Sequence, residues 1–251
     1  MRMFLRSRSG RLAMVSMALT SGAALVPSQC FGQTVFGLGL SASTLGAGVQ
    51  GAVSVSGTSD IRAGFNAFNF SDNFSKDGIN YGATLRLRSA QATYDQYFHK
   101  LGEFHISPGV LFYDDNAGNA TASIPAGQSF SLGSTTYYSG SANPVNGTGA
   151  ITFNKAAPML LFGFGNLLPR SQRHFGVNFE AGVVFEGSPN AKLNLAGTAC
   201  LTAQQTTGTC FNAATDPTVQ ANVVAEQTKL NSQLSPFKYY PVVSLGFSYK
   251  F

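Results

Sequence analysis

The chain has 251 residues, of which only 11% are charged, whereas soluble domains carry about 25%. Its mean hydropathy is only +0.06, Gly (28) and Phe (21) are abundant, and Trp is absent. No stretch in the body of the chain reaches the roughly 18 consecutive apolar residues of a membrane-spanning helix. The lack of such a stretch argues against a helical membrane protein, and the composition favours strands that mix aromatic and small residues.

The first segment of the chain carries no acidic residue and four arginines, Arg2, Arg6, Arg8 and Arg11. An apolar run from Leu12 to Val26 follows, which is the order typical of a secretory signal peptide. We predict a signal peptide over residues 1–32, cleaved after Gly32; the alternative is a short buried or anchoring helix. Its removal leaves 12 of the 16 basic residues against 11 acidic ones, so the net charge of +5 falls to about +1. This charge gives no indication of nucleic-acid binding.

Alternation of apolar and polar residues is the main structural signal, and it predicts about eight strands. They lie at residues 36–42, 45–55, 61–66, 81–95, 104–112, 160–165, 175–186 and 237–251. In the seventh strand, for example, Phe175, Val177 and Phe179 share one face, and Asn178 and Glu180 share the other.

Two irregularities interrupt this pattern. Phe68 and Phe70 break the alternation that ends the third strand. In the fourth strand the apolar face swaps beyond Ser89, for which a β-bulge is the predicted cause.

The connections alternate between short and long ones, as they do at the two ends of bacterial outer-membrane barrels. Short links are predicted at 56–60, 99–103 and 168–174, and long ones at 71–79, 114–157 and 187–236. The link at Ser43 and Thr44 is tight, although the alternation would make it an outer loop.

A short amphipathic helix is predicted before the last strand. Asp216 and Pro217 form a helix start, with Asp as N-cap and Pro at the first position. We expect this helix to pack on the barrel mouth; the alternative is that it plugs the lumen.

Alternation also fits a soluble β-sandwich. A sheet that spans lipid must close on itself, because each unpaired backbone group costs several kcal/mol in hydrocarbon. Many similar strands, with aromatic residues at their ends, meet this demand. The predicted fold is therefore an all-β, transmembrane, antiparallel up-and-down β-barrel over residues 33–251, with large outer insertions at 114–157 and 187–236.

The ending Gly246–Phe251 resembles the C-terminal signal by which outer-membrane barrels are recognised during assembly, with Phe247, Tyr249 and Phe251 as its aromatic handle. The mature chain is similar to small OmpA/OmpW-like barrels and, more narrowly, resembles a proteobacterial outer-membrane protein family. The matching stretches are Arg62–Phe70, Asp77–Tyr81, Leu85–Ser89, Phe185–Pro189 and Tyr240–Pro241. The resemblance implies a location in the outer membrane, with lipid and lipopolysaccharide as neighbours and the β-barrel assembly machinery as a transient partner. It implies no catalytic residues.

Charged residues collect on the polar face of the predicted strands: Arg62, Arg86, Arg88, Asp95, Glu180, Glu186 and Lys238. An eight-stranded barrel is only wide enough for side chains to fill, and charges buried there must be paired. We predict a network of ion pairs that blocks the lumen, and hence a structural or surface-interaction protein. The alternative is a narrow, porin-like channel for polar solutes or ions, lined by an arginine ladder.

Two cysteines remain after removal of the signal peptide, because Cys30 leaves with it. Cys200 and Cys210 are predicted to form a disulfide in an oxidising compartment; the alternative is two free thiols. Two cysteines without a neighbouring histidine make a poor zinc site.

The pair His105 and Ser107 resembles the His-x-Ser pair of a lipid A deacylase, although Pro108 stands where an Asn commonly follows. Both side chains lie on the polar face, away from lipid, so we expect no catalysis and no cofactor. Acidic residues at the outer links could bind a cation: Asp72, Asp77, Asp114 and Asp115. They lack the bidentate Glu of a calcium loop, so we interpret them as solvated turns and predict no metal site.

Overall fold

A computed structural model describes residues 35–98, 103–114, 116–170, 172–206 and 208–251. The predicted signal peptide, residues 1–32, lies outside them. The described residues form strands β1 (Phe36–Ser43), β2 (Gly46–Ser56), β3 (Ser59–Lys76), β4 (Ile79–Tyr97), β5 (His105–Asp114), β6 (Ala117–Ser123), β7 (Ser129–Leu132), β8 (Thr135–Ser139), β9 (Asn146–Thr152), β10 (Ala157–Gly165), β11 (Phe175–Val184), β12 (Asn190–Ala196), β13 (Thr198–Cys200), β14 (Cys210–Asn212) and β15 (Tyr240–Lys250). The helix α1 (Pro217–Leu234) and a 3₁₀ turn (Ser235–Lys238) precede β15.

Eight of these strands close into a ring. The order is β4–β3–β2–β1–β15–β11–β10–β5, and β5 pairs back onto β4. Every pairing in the ring is antiparallel. The predicted eight-stranded barrel is confirmed.

The outer wall of the ring is an apolar belt, because successive side chains of a strand point to opposite faces. Large apolar residues that are more than a third exposed cover it, among them Leu38, Leu40, Val49, Ile61, Phe65, Phe162, Phe164, Val177, Phe179, Val243, Leu245 and Phe247. Aromatic pairs flank the belt: Phe36 stacks on Phe251 at one end, and Phe185 meets Tyr239 edge-on at the other, each at 5.8 Å. An apolar belt with aromatic ends is the lipid-facing surface of a transmembrane barrel.

The hairpin of β3 and β4 is far longer than a membrane strand requires. Its register is unbroken from the pair Ser59–Gln96 to the pair Lys76–Ile79. The turn residue Asp77 has φ 54°. The next residue, Gly78, has φ 77°, so both residues adopt the left-handed conformation of a two-residue hairpin turn.

The predicted bulge near Ser89 is wrong for the pairing of β4 with β3, which shows no shift there. A register shift does occur in the pairing of β4 with β5, between Ala90 and Gln91. The extra residue is Phe112, on β5, so the faces of β4 do not change.

The swap of the apolar face has a different cause. Within the ring, Phe65 and its partner Ala90 point outward to lipid. Above the pair Ala67–Arg88, the apolar residues point inward and the outward ones are polar: the inward pairs are Phe68–Leu87, Phe70–Leu85 and Phe74–Tyr81. The pairing of β3 with β4 continues without interruption through this change of face.

The outer part of this hairpin is the base of a larger sheet. Strands β6, β9 and β12 add side by side to residues 80–86 of β4. We call this sheet, with residues 68–76 of β3 and 79–87 of β4, the arm.

A second sheet with the order β14–β13–β8–β7 forms, together with α1, what we call the cap. Its apolar core contains Phe130, Leu132, Tyr137, Val145, Val219 and Val223. The disulfide Cys200–Cys210 joins β13 to β14, so the predicted disulfide is confirmed. The two outer insertions thus contain seven strands.

Helix α1 begins as its sequence predicts. The Asp216 side chain accepts hydrogen bonds from the backbone N–H groups of Thr218 (2.9 Å) and Val219 (3.0 Å), with Pro217 at the first position. The helix packs on β12 and β7, with Val219 and Val223 buried in the cap core. The alternative of a helix inside the lumen is therefore wrong.

Candidate functional site in the barrel lumen

A single arginine organises the polar part of the lumen. Arg62, on β3, is 1% exposed and pairs with two carboxylates. Its Nη1 donates to Glu180 Oε2 at 2.7 Å, and its Nη2 donates to Glu180 Oε1. Its Nε lies 3.0 Å from Asp95 Oδ2. The fork of the guanidinium thus binds Glu180 with two parallel bonds and Asp95 beside them, which is the strongest geometry for such a pair.

Neutral polar groups complete this network. Gln50 Oε1 accepts from Arg62 Nη1 at 3.1 Å, and Thr93 Oγ1 donates to Asp95 Oδ1 at 3.0 Å. His105 Nε2 lies 3.1 Å from Glu180 Oε1. The network therefore joins side chains from β2, β3, β4, β5 and β11 across the lumen.

The structure brings together three of the seven predicted lumen residues, namely Arg62, Asp95 and Glu180. Glu186 is also buried, at 1% exposed, but it lies at the outer mouth and lines a cavity beside Tyr240.

The other three predicted residues lie elsewhere, two of them because the polar face of β4 changes sides above the membrane. Arg86 and Arg88 are on the outward face of β4, the same face as Ala90, and Arg88 is exposed. Lys238 is exposed in the 3₁₀ turn, with Nζ 5.1 Å from the centre of the Tyr239 ring.

The connection between β10 and β11 closes the lower end of the lumen. Leu167 and Leu168 are each 3% exposed and pack against Ala52. The missing side chains of Gly37 and Gly39 make room for them: a Cβ at Gly37 would lie 2.6 Å from Leu168 Cδ2.

Arg170 fastens this connection to the rest of the barrel. Its guanidinium carbon lies 4.2 Å from the centre of the Tyr97 ring, and Nη2 lies 3.4 Å from Asp60 Oδ1. Its Nη1 also donates to the carbonyl oxygen of Gly57. The alternation of apolar and polar residues could not predict these contacts, because Arg170 lies in a connection between strands and alternation assigns side chains to a face only within a strand.

An apolar layer fills the outer half of the lumen. It consists of Leu45, Leu111, Ala157, Met159, Leu161, Val184 and Val242, each at most 3% exposed. Going from the outer to the inner end, the lumen therefore holds an apolar layer, the Arg62 network and the Leu167–Leu168 plug. Three successive layers of buried side chains fill its length.

The His105 and Ser107 pair is enclosed in this lumen. Both side chains are buried, at 2% and 0% exposed. His105 contacts Glu180, and Ser107 Oγ makes no hydrogen bond with a described residue. A serine nucleophile needs a base bonded to it, and the imidazole of His105 contacts Glu180 instead.

Within the described part of the chain, no group of three or more His, Cys, Asp or Glu side chains is suited to hold a metal ion. No helix among the described residues combines the length and apolarity needed to cross a membrane.

No protein-family model matches the sequence, and no curated protein matches it. Solved structures do. The crystal structure of CarO from Acinetobacter baumannii is 22% identical over 86% of this chain and 97% of that chain, with a TM-score of 0.53. That of CarO2 from the same organism is 19% identical over 88% of this chain and 100% of that chain, with a TM-score of 0.55. At these identities the likeness is one of fold: this chain is a transmembrane β-barrel similar in fold to CarO.

Proposed function

We propose that this protein is a closed β-barrel of a bacterial outer membrane that serves a structural or interaction role at the outer surface. One observation carries the proposal: side chains fill the lumen in three layers, so the barrel offers no open path. The two insertions instead form most of the arm and the cap, which lie beyond the apolar belt and are free to contact partners.

The location in the outer membrane is part of this proposal. It is supported by the antiparallel ring, by the apolar belt and by the predicted signal peptide over residues 1–32. The disulfide Cys200–Cys210 in the cap suits an exported protein.

The partners follow from the same reasoning. Phe247, Tyr249 and Phe251 lie on the outer wall of the last strand, 61%, 40% and 67% exposed, where the assembly machinery would contact them. Lipopolysaccharide would surround the outer boundary, where Arg88 offers a positive charge to its phosphates. The likeness to small OmpA/OmpW-like barrels remains a prediction.

Conductance in planar lipid bilayers tests the closed lumen. We expect no current steps from the full mature chain, because three layers of side chains block the path. A matched variant, Leu167→Ala with Leu168→Ala, removes only the lower plug and should also be silent. Regular steps from the wild-type protein would contradict the proposal.

The alternative function is the narrow channel. The observation that favours it is a set of buried polar atoms on the lumen wall without a hydrogen-bond partner among the described residues, including both amide atoms of Asn178 and the hydroxyls of Ser244 and Ser248. Such atoms require water. Hydration of this wall would be the start of a path, and the same bilayer measurement decides between the two functions.

A further inference from the structure

The outward face of the arm is polar and exposed over five strands. The register sets its side chains in rows that run across β3, β4, β6, β9 and β12. One such row contains Asn73, Gly82, Thr121, Thr148 and Asn194. The face is therefore a continuous surface of hydroxyl and amide groups, about 19 Å wide at a strand spacing of about 4.8 Å.

A hollow of about 650 Å³ lies in the upper part of this face. It lies at Gly82, where a Cβ would be 2.8 Å from Thr121 Oγ1 and 2.9 Å from Asn73 Oδ1. Its polar side chains come from two neighbouring rows, with Asn73, Thr121 and Thr148 in one and Asn80, Ser123 and Asn146 in the next. Because amide and hydroxyl groups both donate and accept hydrogen bonds, the hollow suits a ligand that is rich in hydroxyl groups.

The charges of this face lie in its lowest rows, nearest the membrane. Arg88 pairs with Ala67 at the edge of the belt, Arg86 lies one row higher, and Lys192 lies one row above that. Among the described residues of the arm, none whose side chain points outward is acidic. The hollow begins three rows above Arg88, about 20 Å along the strand at about 3.4 Å per residue. The face thus presents positive charge beside the membrane and neutral polar groups further out.

This face continues the outer wall of the barrel. The outward side chains of β3 run from Phe65 in the belt through Ala67 to Ser71 and Asn73, along an uninterrupted pairing with β4. Molecules that surround the belt therefore also meet the arm at the next level. In the outer leaflet of a bacterial outer membrane that neighbour is lipopolysaccharide, whose phosphates lie at the membrane edge and whose core sugars lie beyond them. The order of groups on the ligand matches the order of groups on the face.

We propose that the outward face of the arm binds the phosphorylated core oligosaccharide of a lipopolysaccharide molecule in the same leaflet. This inference rests on the proposed location in the outer membrane, and it names one partner of the proposed surface role. Arg88, which is exposed, donates charge-assisted hydrogen bonds to phosphate groups. The hollow holds sugar units by hydrogen bonds with its amides and hydroxyls. Individually weak contacts are sufficient, because a ligand held in the same membrane has a high effective concentration.

Native mass spectrometry tests the site, with the full mature chain in micelles of lauryldimethylamine oxide. The chain is mixed with rough lipopolysaccharide, which carries the phosphorylated core, or with lipid A alone. We expect the wild-type chain to prefer rough lipopolysaccharide about tenfold or more. Asn73→Ala with Thr121→Ala and Thr148→Ala removes three polar side chains from the hollow. The loss of about three hydrogen bonds should abolish a preference of about tenfold and leave the binding of lipid A unchanged.

The matched control removes three exposed polar side chains from α1, by Thr218→Ala, Thr228→Ala and Ser232→Ala, and should keep the preference. Arg88→Ala should weaken the binding of both ligands, because both carry phosphates. Heat-modifiable gel mobility shows that each variant is folded.

Three results would overturn the site: equal binding of the two ligands by the wild type, an unchanged preference in the hollow variant, or an equal loss in the control. Any of them would leave the closed barrel standing, since bilayer conductance tests the barrel separately and cell fractionation tests its location.

Discussion

The barrel and the arm are built from the same two strands, yet their apolar residues lie on opposite faces. In the barrel, β3 and β4 turn their apolar residues outward, as in the pair Phe65–Ala90. In the arm, the same strands turn them inward, as in the pair Phe70–Leu85. The surroundings of the outward face change from lipid at the barrel to water at the arm, while the two strands stay paired in one register. A change in the phase of the alternation can therefore mark the edge of a membrane as well as a bulge.

The largest effect should come from removing Glu180, which belongs to the barrel alone. Glu180→Ala leaves Arg62 without its main partner at 1% exposure, and breaking a buried pair in this way costs about 3–5 kcal/mol. Unfolding in urea, followed by gel mobility, measures the loss.

Glu226→Ala is the matched control, because Glu226 pairs with Lys229 at 3.9 Å within α1, and both side chains are accessible to solvent, at 27% and 63% exposed. A solvent-accessible pair within one helix contributes about 0.2–0.5 kcal/mol. Similar losses for the two variants would show that the lumen network is not what holds the barrel.

The next largest effect should come from a lysine on the outward face of β3, because its cost in stability should differ between the barrel and the arm. Ala63→Lys places a charge in the belt near the middle of the ring and should destabilise the barrel by about 2–4 kcal/mol. Ser71→Lys lies on the same face of the same strand, in the arm, and should change the stability by less than about 0.5 kcal/mol. Stability against urea in liposomes measures both. A large cost at Ser71 would place the membrane boundary higher than Ala67.

Removing the disulfide should weaken the cap and spare the barrel. Cys200→Ser with Cys210→Ser opens a short loop, ten residues apart in sequence, and should cost about 2–3 kcal/mol in the chain-entropy account. Limited proteolysis should then cut within residues 197–212, while the heat-modifiable mobility of the barrel stays unchanged. A parallel loss of barrel stability would show that the two regions fold as one.

The smallest effect should follow from the N-cap of α1. Asp216→Ala removes the acceptor for two backbone N–H groups and should cost about 1 kcal/mol. Hydrogen exchange of the first turn should rise, with no change in the ring strands. Thr218→Ala is the control, since its side chain does not cap the helix.

Much of the barrel could be predicted from the sequence, because alternation depends only on local residue order. The eight strands and the α1 N-cap follow from such local patterns. The arm hairpin also had a local signal, since Asp77-Gly78 is a strong two-residue turn, but the change of face at Phe68 masked it. The short strands of the insertions had no local signal, because their Gly, Ser, Thr and Asn residues also suit loops.

The lumen network needed information that local patterns do not contain. Alternation places Arg62, Asp95 and Glu180 on one face, but their contact depends on the register of strands far apart in sequence. The wrong lumen placement of Arg86 and Arg88 has the same root, since the inward face is polar only inside the membrane. The contacts of Arg170 depend on the conformation of the connection between β10 and β11.

Two amide side chains of α1 cover the free edge of β12, which affects how copies of this protein interact. The Asn231 side chain bonds both the N–H (2.7 Å) and the C=O (3.5 Å) of Ala191, and Gln227 accepts from the N–H of Leu193 at 3.1 Å. These amides imitate a neighbouring strand along the free border of β12. A sheet that would otherwise present bare peptide groups, and so recruit strands from other copies, is sealed against such aggregation.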